Sequence, residues 1–147
     1  MATVTRIPRL ETRGFYERKY WGELIGGGTF FTIQDIERRN PLRITDLIAD
    51  APGVRVRCDG SGFRCSVYSR RVSTGFGGGG CELNVYVDGT LVVRSSDSRW
   101  GKSPVSVNEL VFPIEIGGVE VYQGAASLPA EFSGFDNRCG AVVIWTK

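Results

Sequence analysis

The strongest helical period in the chain runs from Ile44 to Ala51. Ile44, Leu47, Ile48 and Ala51 recur at i, i+3, i+4 and i+7 and give a helix one apolar face. Asn40 is placed to cap it, Pro41 suits its first turn, where a missing N–H costs nothing, and Pro52-Gly53 ends it. A shorter helix, Ile33 to Arg39, precedes it after Phe30-Phe31, with Thr32 as cap and Asp35 three positions on.

Beyond Gly53 the period changes to alternation. Val54-Arg55-Val56-Arg57-Cys58 reads as a half-buried strand, Asp59–Gly62 as a turn, and Phe63 to Tyr68 as its antiparallel return. Arg70 to Gly80 is a loop ending in four glycines. Cys81 to Asp88 then reads as one strand, with Leu83, Val85 and Val87 on one face and Glu82, Asn84 and Tyr86 on the other. Asp88-Gly89 is a hairpin turn, and Leu91 to Val93 pairs back. Ser95 to Ser103 is polar loop around Trp100. Ser106 with Glu109 forms a capping box for a short helix that Pro113 closes. Val119, Val121 and the run Ala141–Trp145 are buried strands, with a brief helix in Ala125–Phe132 and sharp backbone changes at Gly124 and Gly140. A strand–helix–strand unit of this kind cannot fold alone, so the earlier elements must flank it.

The order predicts an α+β fold: a mixed sheet of about four to six short strands with short helices packed on it. Helical crossovers between the last three strands point to parallel pairing there, with antiparallel pairing at the hairpins. Residues 1–28 form an irregular N-terminal segment, since Pro8, Gly14 and Gly26-Gly27-Gly28 interrupt any period; the folded domain is 29–147. Tyr16, Tyr20 and Trp21 are aromatics in a charged setting, either packed over the body of the domain or facing a partner.

Composition narrows the function. A length of 147 residues suits one domain with a real core, and 20 Gly with 6 Pro suit short elements and many turns. The net charge of +2 is spread among acids with no basic stripe, which argues against a nucleic-acid partner. No apolar run approaches the roughly 20 residues of a membrane helix, and the first residues show no signal peptide. The chain is thus either cytosolic or a mature exported chain with an added starting Met, and four cysteines favour export.

Candidate chemistry is sparse. The absence of His removes Ser/His and Cys/His catalysis. Gly75–Gly80 lacks the Lys-Ser/Thr of a phosphate loop and precedes a strand. Gly101-Lys102-Ser103 has Ser96 where such a loop needs Gly. Asp88, Asp97 and Glu109 could supply a carboxylate pair, but nothing fixes their separation. Cys58, Cys65, Cys81 and Cys139 lack the tight spacing of zinc ligands and read as disulfides, for which three pairings exist. Cys58–Cys65 closing the hairpin is preferred, with Cys81–Cys139 joining the starts of two strands; the second closes a long loop, on the order of 4 kcal/mol in the chain-entropy model. No cofactor or metal is expected.

Several pieces, in order, carry a resemblance. They are Asp35–Pro41, Thr45–Ile48, Pro52-Gly53-Val54, Val85–Gly89, Val119-Glu120-Val121-Tyr122-Gln123-Gly124, and the closing Gly140–Lys147. Together, over roughly residues 14 to 147, the chain resembles the plug domain of TonB-dependent outer-membrane receptors, with Gln123 where Arg is usual. Ala2-Thr3-Val4-Thr5 is similar to the extended motif by which such receptors engage TonB. The resemblance implies a domain that, in full receptors, fills a barrel, contributes to substrate binding and is rearranged by TonB; no barrel follows Lys147 in this sequence. The expectation is a non-enzymatic, plug-like binding or interaction domain of an exported protein of the periplasm, outer membrane or extracellular space. Its partner would be a protein or a copy of itself, with a small-molecule ligand as a further candidate. The alternative is a secreted subunit that self-assembles through strand edges and its N-terminal segment.

Overall fold

The computed structural model describes residues 6–73, 80–94, 106–132 and 137–147. In chain order its elements are α1 (Pro8–Thr12), α2 (Phe15–Ile25), β1 (Thr29–Thr32), α3 (Ile33–Arg39), α4 (Ile44–Ile48), β2 (Val54–Cys58), β3 (Cys65–Ser73), β4 (Gly80–Glu82), β5 (Asn84–Val87), β6 (Thr90–Val93), α5 (Val107–Leu110), β7 (Ile116–Tyr122) and β8 (Ala141–Thr146). Five strands form a mixed sheet in the order β1-β7-β8-β5-β6, and β2-β3-β4 form a second, antiparallel one. The fold is the expected α+β arrangement.

Strand alternation divides the core in two. Val119 and Val121 of β7, Val142 and Ile144 of β8, and Val85 of β5 point to one side. There they meet Ile36 of α3, Ile44, Leu47 and Ile48 of α4, Val107 of α5, and Val54 and Val67 of the small sheet. Tyr122, Ala141, Val143, Trp145 and Tyr86 point to the other side, against Leu10 of α1, Phe15 of α2, Phe30 and Phe132. Each fully buried aliphatic or aromatic side chain contributes about 1.5–3 kcal/mol, so both layers matter to stability.

The second layer corrects the reading of residues 1–28 as irregular. The interruptions at Pro8, Gly14 and Gly26 are helix boundaries: Pro8 opens α1, Gly14 caps α2, and Gly26 ends it. Leu10 and Phe15 are fully buried. They settle into a dent above Gly118, where a Cβ would stand 2.8 Å from Leu10 Cδ2 and 2.9 Å from Phe15 Cζ. A glycine in the strand makes room for the helices.

Three further details differ from expectation. Asn40 does not cap α4; it ends α3 in the left-handed region (φ 47°), its N–H bonded to the Ile36 carbonyl at 2.9 Å. The cap of α4 is Arg43, whose N–H donates to Asp46 Oδ2 at 3.1 Å. The apolar alternation of 81–88 is one pattern serving two sheets. Leu83 breaks the strand, its N–H bonded to Val67 of the small sheet while the next N–H reaches Gly140 beside β8. Finally, β5 and β8 are parallel but β7 and β8 are antiparallel. Among the described residues, the segment expected as a helical crossover between β7 and β8 has single 3-10 turns at Ala125–Ser127 and Ala130–Phe132 in place of a helix.

The capping boxes at Thr32/Asp35 and Ser106/Glu109 form as read. Asp88 (φ 51°) and Gly89 (φ 88°) make the two-residue turn between β5 and β6. Cys58 is bonded to Cys65, and Cys81 to Cys139. Among the described residues no helix is long and apolar enough to cross a membrane.

Candidate interaction site

Helix α2 carries two different faces. Inward, Phe15 packs edge-on to Phe30 at 6.3 Å between centroids, and Gly22 lets Phe30 approach. Between them Arg18 reaches down to the sheet. Its Nε and Nη2 donate to the two oxygens of Glu120 at 2.8 and 2.9 Å, and its Nη1 donates to the Arg13 carbonyl at 2.8 Å and to Glu131 at 3.0 Å.

Glu120 lies in the middle of β7 and is 0% exposed. Beside Arg18, it accepts the Trp145 indole N–H at 2.6 Å and the Tyr122 hydroxyl. A buried carboxylate needs such complete satisfaction, because an unpaired one would cost several kcal/mol. Burial lowers the Arg18 guanidinium's pKa, but hydrogen bonds and charge from Glu120, with Glu131, outweigh this and leave it above its ordinary value. Burial first, then the Glu120 charge, pushes the Tyr122 phenol far above its usual range. The network is therefore the Arg18 guanidinium held between Glu120 and Glu131, with Tyr122 and Trp145 as further donors to Glu120. It holds the helix to the sheet and has no nucleophile paired with a base.

Outward, α2 shows water a run of large apolar groups: Tyr20 (62% exposed), Trp21 (54%), Leu24 (65%) and Ile25 (77%). Their spacing at i, i+1, i+4 and i+5 puts them on one side of the helix. Tyr20 and Trp21 meet edge-to-face at 5.2 Å. Next to this stripe, a cleft of about 580 Å³ opens between α2 and the 3-10 segment, with Trp21, Ile25, Leu128 and Pro129 as apolar walls and Arg18 and Glu131 at its polar side. A second hollow of about 520 Å³, on the α3 side, has Leu42, Phe112 and Ile114 exposed around it.

The three aromatics singled out in the sequence thus part ways. Tyr16 is half-buried: its hydroxyl accepts the Ile7 N–H at 2.7 Å and Arg6 covers its ring. Tyr20 and Trp21 face solvent. Leu24 and Ile25 were missed, although they repeat the Tyr20-Trp21 pair four residues on. Glu120 was also missed as a buried charge; an acid inside the apolar run Val119–Tyr122 was the available signal.

Asp88 is tied up at the end of β8, accepting the Thr146 N–H and hydroxyl at 2.9 and 2.7 Å, with Arg9 at 3.3 Å. Glu109 caps α5. Gln123 donates its side-chain amide to the Pro52 carbonyl. Residues 75–79, Asp97, Trp100, 101–103 and Ala2–Thr5 lie outside the described residues.

A family model described as "TonB-dependent Receptor Plug Domain" matches residues 28–132. No curated protein sequence matches the chain. Among solved structures, the chain is similar to a mutant ferric enterobactin receptor from Pseudomonas aeruginosa in complex with enterobactin, with 24% identity and a TM-score of 0.60 over 83% of this chain and 18% of that one. It is likewise similar to the siderophore receptor PirA from Acinetobacter baumannii, with 20% identity and a TM-score of 0.59 over 82% of this chain and 17% of that one. The chain therefore spans less than a fifth of the length of these receptors, and at such identities the likeness is one of fold. Helices α1 and α2 precede the segment that the family model matches.

Proposed function

Since the chain belongs to the TonB-dependent receptor plug domain family, we propose that it is a non-enzymatic binding domain of an exported, outer-membrane-associated protein, and that it engages a protein partner through the outer face of α2. The observation that carries this reading is the contiguous exposure of Tyr20, Trp21, Leu24 and Ile25. Isolated surface apolar groups need no explanation, but a continuous stripe containing Trp and Tyr has the composition of an interface centre. The adjoining cleft lies in the size range of small-ligand sites and gives the partner's apolar side chain, or a small ligand, a place to enter. Two disulfides support an oxidising compartment.

A photo-crosslinking residue replacing Tyr20 in the exported protein should yield a heavier adduct with another protein, and Leu24→Glu/Ile25→Glu should abolish it. The purified chain should remain monomeric by light scattering across a concentration series. Concentration-dependent dimers lost in the double variant would instead support the second reading, self-assembly through the N-terminal segment. Absence of both adduct and dimer would end the proposal for this face.

A further inference from the structure

The cleft beside α2 is polarised along its length, and both walls agree on the direction. On α2, Glu17, Trp21 and Ile25 follow one another at four-residue steps, so this wall turns from acidic to apolar over about 12 Å of helix axis. The facing 3-10 segment runs the opposite way but changes character in step with it. Its Glu131 stands at the Glu17 end, 3.0 Å from Arg18 Nη1. Its Ser127 stands at the Ile25 end, where a Cβ on Gly27 would come 3.9 Å from Ser127 Cβ. Leu128 and Pro129 lie between them. The cleft therefore has one acidic end and one apolar end.

The formal charges around the acidic end cancel, but their commitments do not. Arg18 is only 10% exposed, and each of its three nitrogens is already given to an acceptor. Arg13 sends its guanidinium elsewhere, over the Trp145 ring at 5.8 Å and beside Gly89, neither of which is a wall of the cleft. Glu131 is 58% exposed and gives Arg18 one oxygen. Glu17 is exposed and its side chain has no partner among the described residues. What this end offers a visitor is carboxylate oxygen. An anion would meet two like charges there, and a wholly apolar group would strip water from them without return.

We propose that the cleft receives a Lys or Arg side chain of the partner protein together with an apolar side chain two residues away. The cation sits between Glu17 and Glu131, and the apolar group lies against Trp21, Ile25 and Leu128. In an extended segment two such residues share a face and stand about 7 Å apart, and their side chains reach the rest of the cleft's length. The stem of the basic residue lies along the apolar wall while its head stays wet. Exposed ion pairs add little affinity, so the apolar end supplies most of the attraction and the acidic end selects the sign of the charge. This rests on α2 being the partner-binding face, and adds the chemistry of what it holds.

The test is titration of the full chain with two capped tripeptides, acetyl-Leu-Gly-Arg-amide and acetyl-Leu-Gly-Glu-amide, followed by NMR at the Glu17 and Glu131 backbone N–H and the Trp21 indole N–H. The Arg peptide should shift these signals saturably and bind about fivefold more tightly than the Glu peptide. Glu17→Gln/Glu131→Gln should erase that ratio, while Glu37→Gln, on α3, should leave it unchanged. The Gln at 131 still offers Arg18 an acceptor, so the fold is kept. Equal affinities of the two peptides, an undiminished ratio in the double variant, or shifts that miss the cleft would overturn the proposal. Phenethylamine binding as tightly as the Arg peptide would overturn it in favour of a small amine. The crosslink from position 20 separates this inference from the reading beneath it. An adduct insensitive to Glu17→Gln/Glu131→Gln leaves the α2 face standing and sinks the basic group, whereas no adduct sinks both.

Discussion

Arg18 and Arg55 both sit over a β-sheet, and they are treated in opposite ways. Arg18, over the five-stranded sheet, is nearly dry and each of its three nitrogens donates to an acceptor, two of them to Glu120. Arg55, over the three-stranded sheet, is half-buried beside two more arginines and has an unbonded Nε. A buried charge that is completely answered by its own chain belongs to the architecture. Arg55 instead leaves one donor that its own chain does not answer. Arginine by itself says little; its acceptors decide the reading.

Glu120→Ala probes the answered side most severely. It strands Arg18, Tyr122 and Trp145 without their common acceptor, and should lower unfolding free energy by about 3–5 kcal/mol in urea denaturation. Glu120→Leu with Arg18→Met should cost clearly less than the single change, because it removes both charges together. A small loss in Glu120→Ala would erase the contrast between the two sheets. Next comes the bridge that ties β8 to β4. Removing it by Cys81→Ser/Cys139→Ser should cost about 2–4 kcal/mol, and a non-reducing digest of the native chain should show Cys58 linked to Cys65 and Cys81 to Cys139.

Tyr122→Phe should cost about 1 kcal/mol by deleting one donor to Glu120. It should also change the alkaline limb. The Tyr122 phenol's pKa is raised in the fold, so its contribution is whole below the unfolded value near 10 and is lost as pH climbs above it; the variant should show a flatter decline there. On the unanswered side, Arg55→Leu should leave stability within about 1 kcal/mol of wild type, on the stabilising side, since it removes an unpaired donor. A large loss would mean that Arg55 is architectural after all. The smallest effect belongs to α2: Trp21→Ala should change stability by under about 0.5 kcal/mol while abolishing partner contact.

Much of the large sheet was legible beforehand because its central strands are rich in β-branched and aromatic residues. Val119, Val121 and Ala141–Trp145 are buried as read, and Asp88-Gly89 turns the hairpin. Capping boxes were equally clear, since two side chains three residues apart suffice to specify them. What escaped notice depends on residues far apart in the chain. Helix α1 is five residues long, and the buried face of α1 and α2 rests on little more than Leu10 and Phe15, too few to announce a period. Its meaning lies in Gly118, a hundred residues on, which makes the dent it fills. Asn40 misled because the same residue type serves at either end of a helix, and only the backbone angle tells which. The arginines of β2 read as the charged half of an alternation, but Arg70 read as the start of a loop, and β3 instead runs on to Ser73.

The break at Leu83 has a mechanical consequence. The last N–H given to the small sheet, that of Leu83, and the first that reaches beside β8, that of Asn84, stand on consecutive residues, and Cys81, just upstream, is riveted to the root of β8. There is no slack in that joint. A load arriving on the small sheet, whether from a docked molecule or a pull, passes straight into the central parallel pair β5 and β8.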